Sequence, residues 1–153
     1  MATLSKPEIT KASTTDIASI ARSLYDNFNQ RDLDKAVSII ATECEFQEMP
    51  TGQKFRGPEG VRQDLQMWLK AFPDGKCNIT NVIANGDLVA VEFTGVGTQN
   101  GPLTGPDGKE IAATGRRAEI PFCDVHQIRN GKVVRVRSYY DQGSMMRQLG
   151  LMK

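Results

Sequence analysis

The first third of the chain carries its apolar residues at helical spacing. Ile17, Ile20, Ala21, Leu24 and Phe28 form one stripe of a 3.6-residue period, with Thr14 or Thr15 as the cap. After the short link NFNQRD, Asp32 is placed to cap a second helix with Leu33, Ala36, Val37 and Ile40 on one side, so the two predict a helical hairpin. The period then changes to two. In ECEFQEMP, Cys44, Phe46 and Glu48 share one face of a strand, and Glu45, Gln47 and Met49 share the other. TGQKFRGPEG reads as a turn-rich connector. Pro58 suits the first turn of a third helix, where its missing N–H has no partner to lose. That helix turns Val61, Leu65, Trp68, Leu69 and Phe72 inward and stops at Pro73. CNITNVIA and LVAVEFTGVGT are strands joined by the tight-turn signal NGD. QNGPLTGPDGKEIAATG, rich in Gly and Pro, is a long hairpin connection of a length suited to covering something. Residues 116–129 and 132–140 are the last two strands, turned by Asn130-Gly131, and Asp141 caps a short C-terminal helix.

Helices followed by a run of strands predict an α+β fold with a mostly antiparallel sheet. Three helices laid on one face of a curved sheet would enclose an apolar cone. Residues 1–13 are polar and predict a disordered arm ahead of a single domain over 14–153.

Alternation also decides which polar groups share the apolar face. On the strand over 118–129, Ile120, Phe122, Asp124, His126 and Ile128 point one way. An aspartate and the chain's single histidine, two residues apart on an apolar face, could work as general base and acid beside a carbonyl. The alternative for His126 is a half-exposed ring at the strand end, satisfied by backbone. Glu48, on the face of Cys44 and Phe46, would join Asp124 and His126 in a polar cluster, or else reach solvent beside the MPTG turn. On the last strand, Val134, Val136, Ser138 and Tyr140 share the pocket face, and Val133, Arg135, Arg137 and Tyr139 the outer one. Phe46, Trp68, Phe72, Phe93, Phe122, Val136, Ser138 and Tyr140, with Tyr25, are the expected pocket walls.

Composition narrows the classes. With 19 basic and 18 acidic residues the net charge is +1, so no basic surface calls for nucleic acid. The three cysteines are widely spaced, form no CxxC pair and sit in apolar stretches, which predicts free thiols in a reducing compartment. No apolar run predicts a membrane span or export signal, and a cytoplasmic protein is expected. One histidine without HxH or HxxE spacing predicts no metal site, and the glycine-rich stretch 95–115 lacks a nucleotide-loop motif.

Several runs carry a resemblance to a known family. They are NFNQRDLDKAVSIIATECEF, FRGPEGVRQDL, GTQNGPLTG, HQIRNGKVVRVRSYYD and MMRQLGL. Together they resemble the SnoaL-like polyketide cyclase group of the nuclear transport factor 2-like superfamily, over about residues 15–151. The resemblance implies a cone of three helices on a sheet of five or six strands, also called cystatin-like. It implies chemistry without a cofactor, and a homodimer formed through the sheet face that holds Arg135, Arg137 and Tyr139. It also implies an acidic catalytic residue where Ser138 stands. The epoxide hydrolases of the superfamily would need an arginine and an aspartate where Phe93 and Gly95 stand, so their triad is absent. Because the superfamily holds cyclases, isomerases, epoxide hydrolases and binding domains, function has to come from the site. The expectation is an acid/base enzyme performing aldol-type cyclisation or isomerisation on a small apolar carbonyl compound. Asp124 would be its base and acid, with His126 and Glu48 polarising or relaying. The alternative is a non-catalytic small-molecule-binding or protein-interaction domain of the same fold.

Overall fold

The apolar stripe of the first helix becomes α1 (Thr14–Asn29), which buries Ile17, Ala21, Leu24, Tyr25 and Phe28. A computed structural model of the protein describes residues 14–105 and 107–152. The expected arm over residues 1–13 lies outside the described residues. Asp32 caps α2 (Leu33–Val37), its carboxylate accepting from the Lys35 amide at 3.0 Å. That helix is shorter than predicted. Ile40 already belongs to β1 (Ile40–Glu48), where it pairs with Val133 of the last strand. A β-branched residue fits a strand better than a helix end.

The expected connector 51–60 contains a strand, β2 (Lys54–Arg56), paired antiparallel with β1. Phe55 stands opposite Phe46 and meets it edge-on at 6.5 Å. One apolar residue in a three-residue strand leaves no period to read. α3 (Gly57–Ala71) follows with Pro58 in its first turn.

β3 (Lys76–Asn85), β4 (Leu88–Thr98), β7 (Arg117–Arg129) and β8 (Lys132–Tyr140) form an antiparallel run. β1 joins it parallel to β8, giving one six-stranded sheet in the order β2-β1-β8-β7-β4-β3. Asn130 and Gly131, with φ of 52° and 75°, make the β7–β8 turn in the left-handed conformation such tight hairpins need. The short pair β5 (Leu103–Thr104) and β6 (Glu110–Ile111) lies in the long connection. Buried Gln99 holds the ends of that connection together. Its amide donates to the carbonyls of Gly101 (3.1 Å) and Ala112 (3.2 Å), and its Oε1 accepts from the Thr114 amide (3.1 Å) and hydroxyl (2.7 Å). α4 (Gln142–Gln148), capped by Asp141, closes the chain.

The fold is α+β, as expected. Helices α1 and α3 pack on the sheet face that carries Cys44, Phe46, Val89, Val91, Phe93 and Val136. A smaller core joins Phe72, Leu103, Ile120, Met145 and Leu149 under α4. One expected face changes. Val133 and Val136 are both fully buried, whereas Val134, expected inward, is only half-buried. The register shifts there, and Val134 has no partner in β7. A bulge of this kind resets alternation for everything before it. Val136 and Ser138, beyond the bulge, do face inward.

Candidate active site

Asp124 and His126 both point inward from β7 and are 3% and 0% exposed. The half-exposed alternative for His126 is thereby corrected: the ring is covered from the helix side by Tyr25. α1 brings Tyr25 to both. Its hydroxyl donates to Asp124 Oδ2 at 2.6 Å and lies 2.7 Å from His126 Nε2. A phenol has one proton to give. With Asp124 ionised, that proton goes to the carboxylate, and His126 Nε2–H donates to the Tyr25 oxygen. The result is a directed chain from histidine through tyrosine to aspartate. His126 Nδ1 and Asp124 Oδ1 are left buried without hydrogen-bond partners.

Burial sets the protonation of this chain. It pushes the Asp124 carboxyl up to about 6, against the opposing pull of Ser138 and Tyr25. Ser138 stands directly across the β7–β8 pair, and its hydroxyl favours the carboxylate. Burial pulls His126 down to about 4, so its ring is neutral near pH 7. The Tyr25 phenol is raised well above its ordinary value by burial and by Asp124.

A second group of polar side chains lies beside the first. Glu48, 6% exposed, ends β1. It accepts from Trp68 Nε1 at 3.0 Å, from the Tyr140 hydroxyl at 3.2 Å and from the Thr51 hydroxyl at 3.4 Å. The solvent-reaching alternative for Glu48 is thus corrected, because these three donors replace water. Asp64 of α3 is 2% exposed, and its Oδ1 has no partner. Its carboxyl is raised well above the usual range, first by burial and then by Glu48.

Between the helices and the sheet lies a cavity of about 100 Å³, partly open to solvent. Of the expected walls, Phe46, Trp68, Phe72, Phe93, Phe122 and Ser138 line it, together with Tyr25 and Asp124. Val136 and Tyr140 do not. Val136 is consumed by the main core, and Tyr140 stands behind the wall, packed on Trp68 and Phe122. His126 and Glu48 are also second-layer residues, reaching the cavity through Tyr25 and Trp68. Asp64 lines the cavity and was missed. Its signal was present: Val61, Asp64, Leu65 and Trp68 recur at the spacing of one helix face. Glycine in β4 makes room for the aromatic wall, since a Cβ at Gly95 would sit 2.9 Å from the Phe122 ring. Phe122 stacks on Phe93 at 4.7 Å there. The Cys77 thiol on the wall is pushed up to about 12 by burial, so it is no thiolate nucleophile.

A family model described as SnoaL-like polyketide cyclase matches residues 18–149. The chain belongs to this family. Among solved structures, the SnoaL-like chain is similar to IdmH of Streptomyces antibioticus, a candidate polyketide cyclase. The two share 25% identity and a TM-score of 0.73 over 88% of this chain and 98% of that one. It is also similar to TsrD of Streptomyces laurentii, at 22% identity and a TM-score of 0.79, over 93% and 100% of the two chains. AclR of Streptomyces galilaeus, a candidate hydroxylase, shares 19% identity and a TM-score of 0.78 over 92% and 100%. At such identities TsrD and AclR speak for the fold alone. No curated protein matches in sequence. The SnoaL-like fold thus accompanies different named chemistries, and the reaction has to be read from the cavity. Among the described residues, no helix is long and apolar enough to cross a membrane.

Proposed function

We propose that this SnoaL-like protein is an acid/base enzyme, working without a cofactor, that isomerises or cyclises a small apolar carbonyl compound. One observation carries the reading. Asp124 lines an aromatic cavity, with its Oδ1 buried and unpartnered and its other oxygen held by Tyr25. A carboxylate raised to about 6 is ionised near pH 7 yet basic enough to accept a proton from carbon. In the proposed step the C–H bond beside the carbonyl breaks. The proton goes to Asp124 Oδ1, and the electron pair moves onto the carbonyl oxygen as an enolate. Isomerisation returns the proton at another carbon. Cyclisation joins the enolate carbon to a second carbonyl of the same molecule, and the alkoxide takes the proton back from Asp124.

Deuterium exchange beside the carbonyl of α-tetralone and related aryl ketones, followed by NMR in heavy water, tests this. The wild type should accelerate exchange, and Asp124→Asn should lose at least about 10²-fold of it while remaining folded. Because the base works ionised, the rate should rise with pH through about 6 and then level off. Exchange that survives Asp124→Asn sinks the assignment. A ketone that binds but never exchanges points to a binding protein instead.

Two copies pair through the open sheet face in this proposal. Ile83, Leu88 and Tyr139 are 55%, 42% and 44% exposed there. Arg137 on the same face keeps a buried Nε without a partner, which an interface would supply.

A further inference from the structure

Asp64 is a buried carboxyl with nothing to neutralise it. No ion pair reaches it among the described residues, and no donor reaches Oδ1. It projects from α3 into the cavity that Asp124 enters from β7. Burying a lone carboxylate is costly, and two neighbouring buried carboxylates do not both ionise readily. The choice between Asp64 and Glu48 follows from their partners. Glu48 from β1 has three donors, Trp68, Tyr140 and Thr51, which are the surroundings of an anion. Asp64 faces Glu48 from β1, Asp124 from β7 and the Tyr140 phenol from β8, and only the nearby Trp68 indole favours its charged form. The proton therefore belongs to Asp64. A neutral carboxyl is a hydrogen-bond donor. Asp64 touches Glu48, but Glu48 already has three other donors, so the Asp64 proton is free to turn to a substrate.

We propose that Asp64 is a second catalytic residue, whose neutral carboxyl donates a hydrogen bond to the substrate's carbonyl oxygen while Asp124 removes the proton from carbon. This rests on the reading of Asp124 as base. The two carboxyls then divide the work. Asp64 stabilises negative charge as it develops on oxygen. Glu48 acts as a positioning residue, holding Asp64 in its neutral form. The substrate class narrows accordingly, to one whose carbonyl oxygen and acidic C–H reach different walls of a single aromatic slot.

Infrared spectroscopy separates this from the base assignment. In Asp124→Asn protein, which lacks the other candidate, a neutral carboxyl stretch should be present at neutral pH. It should vanish on adding Asp64→Leu and should titrate at lower pH with Glu48→Gln. The carbonyl stretch of bound, isotope-labelled α-tetralone should shift to lower frequency in wild type and in Asp124→Asn. That shift should be lost in Asp64→Leu and partly kept in Asp64→Asn, whose amide still donates. Exchange should fall about 10²- to 10³-fold in Asp64→Leu. Absence of the neutral carboxyl band, or a ligand shift indifferent to Asp64, overturns the proposal. If Asp64→Leu does not fold, Asp64→Asn decides by the same band. Failure of Asp124 as base shows separately, as exchange that survives Asp124→Asn.

Discussion

Tyr25 holds two buried groups with one hydroxyl. It anchors Asp124 Oδ2 and lies against the neutral His126 ring, so Oδ1 alone is left without a partner. Tyr25→Phe would strand both partners. Leaving two buried polar groups unpaired should destabilise the protein by roughly 2–4 kcal/mol, read as a lower urea midpoint. Losing a hydrogen bond to the charged form also raises an acid's pKa. The rising limb of the exchange rate should therefore move above its position at about 6 in the wild type, toward alkaline pH. An unmoved limb would mean that Tyr25 does not set the basicity of Asp124. At this scale the sequence was half legible. Alternation placed Asp124 and His126 on the inner face, because no bulge interrupts their part of β7. The tyrosine hydroxyl was not legible, since it comes from 99 residues away. Asp64 was legible by spacing but hidden by its type, for a carboxylate on an apolar stripe looks like an interruption.

At the scale of elements, the long connection between β4 and β7 is held by a single side chain. Gln99 supplies four hydrogen bonds to it from a fully buried position. Gln99→Ala removes all four and leaves backbone groups of Gly101, Ala112 and Thr114 short of partners. The expected result is faster amide hydrogen exchange over residues 99–116, with protection in β7 and β8 retained. Protection lost uniformly across the sheet would instead make Gln99 a global keystone. Gly101 adds to the seal, since its backbone packs so closely on the Lys70 carbonyl that a Cβ has no room. Turn residues marked this region as a connection, but no local pattern foretells a glutamine that closes a loop from inside. β2 escaped for a similar reason, because three residues owe their strand to Phe55 meeting Phe46 across the pair.

For the whole molecule, the proposed dimer makes a direct prediction. Sedimentation should give twice the chain mass, and Tyr139→Asp, which puts an unpaired charge in the centre of the contact, should give monomers without loss of the sheet. A wild type that sediments as a monomer removes the interface from the account. The overall architecture was the most legible level of all, since hydrophobic period alone separates helices from strands. The parallel contact between β1 and β8 was not, because pairing partners that distant leave no mark on either strand. That contact has a consequence for how the chain is made. Tyr25, Glu48 and Asp64 leave the ribosome long before Asp124, and the seat between β1 and β7 stays vacant until β8 arrives. Until then both neighbours are open strand edges, able to pair with other chains. The fold therefore concentrates its risk of aggregation in the last moments of synthesis, and folding should be limited by the docking of the late β7–β8 hairpin onto the early β1.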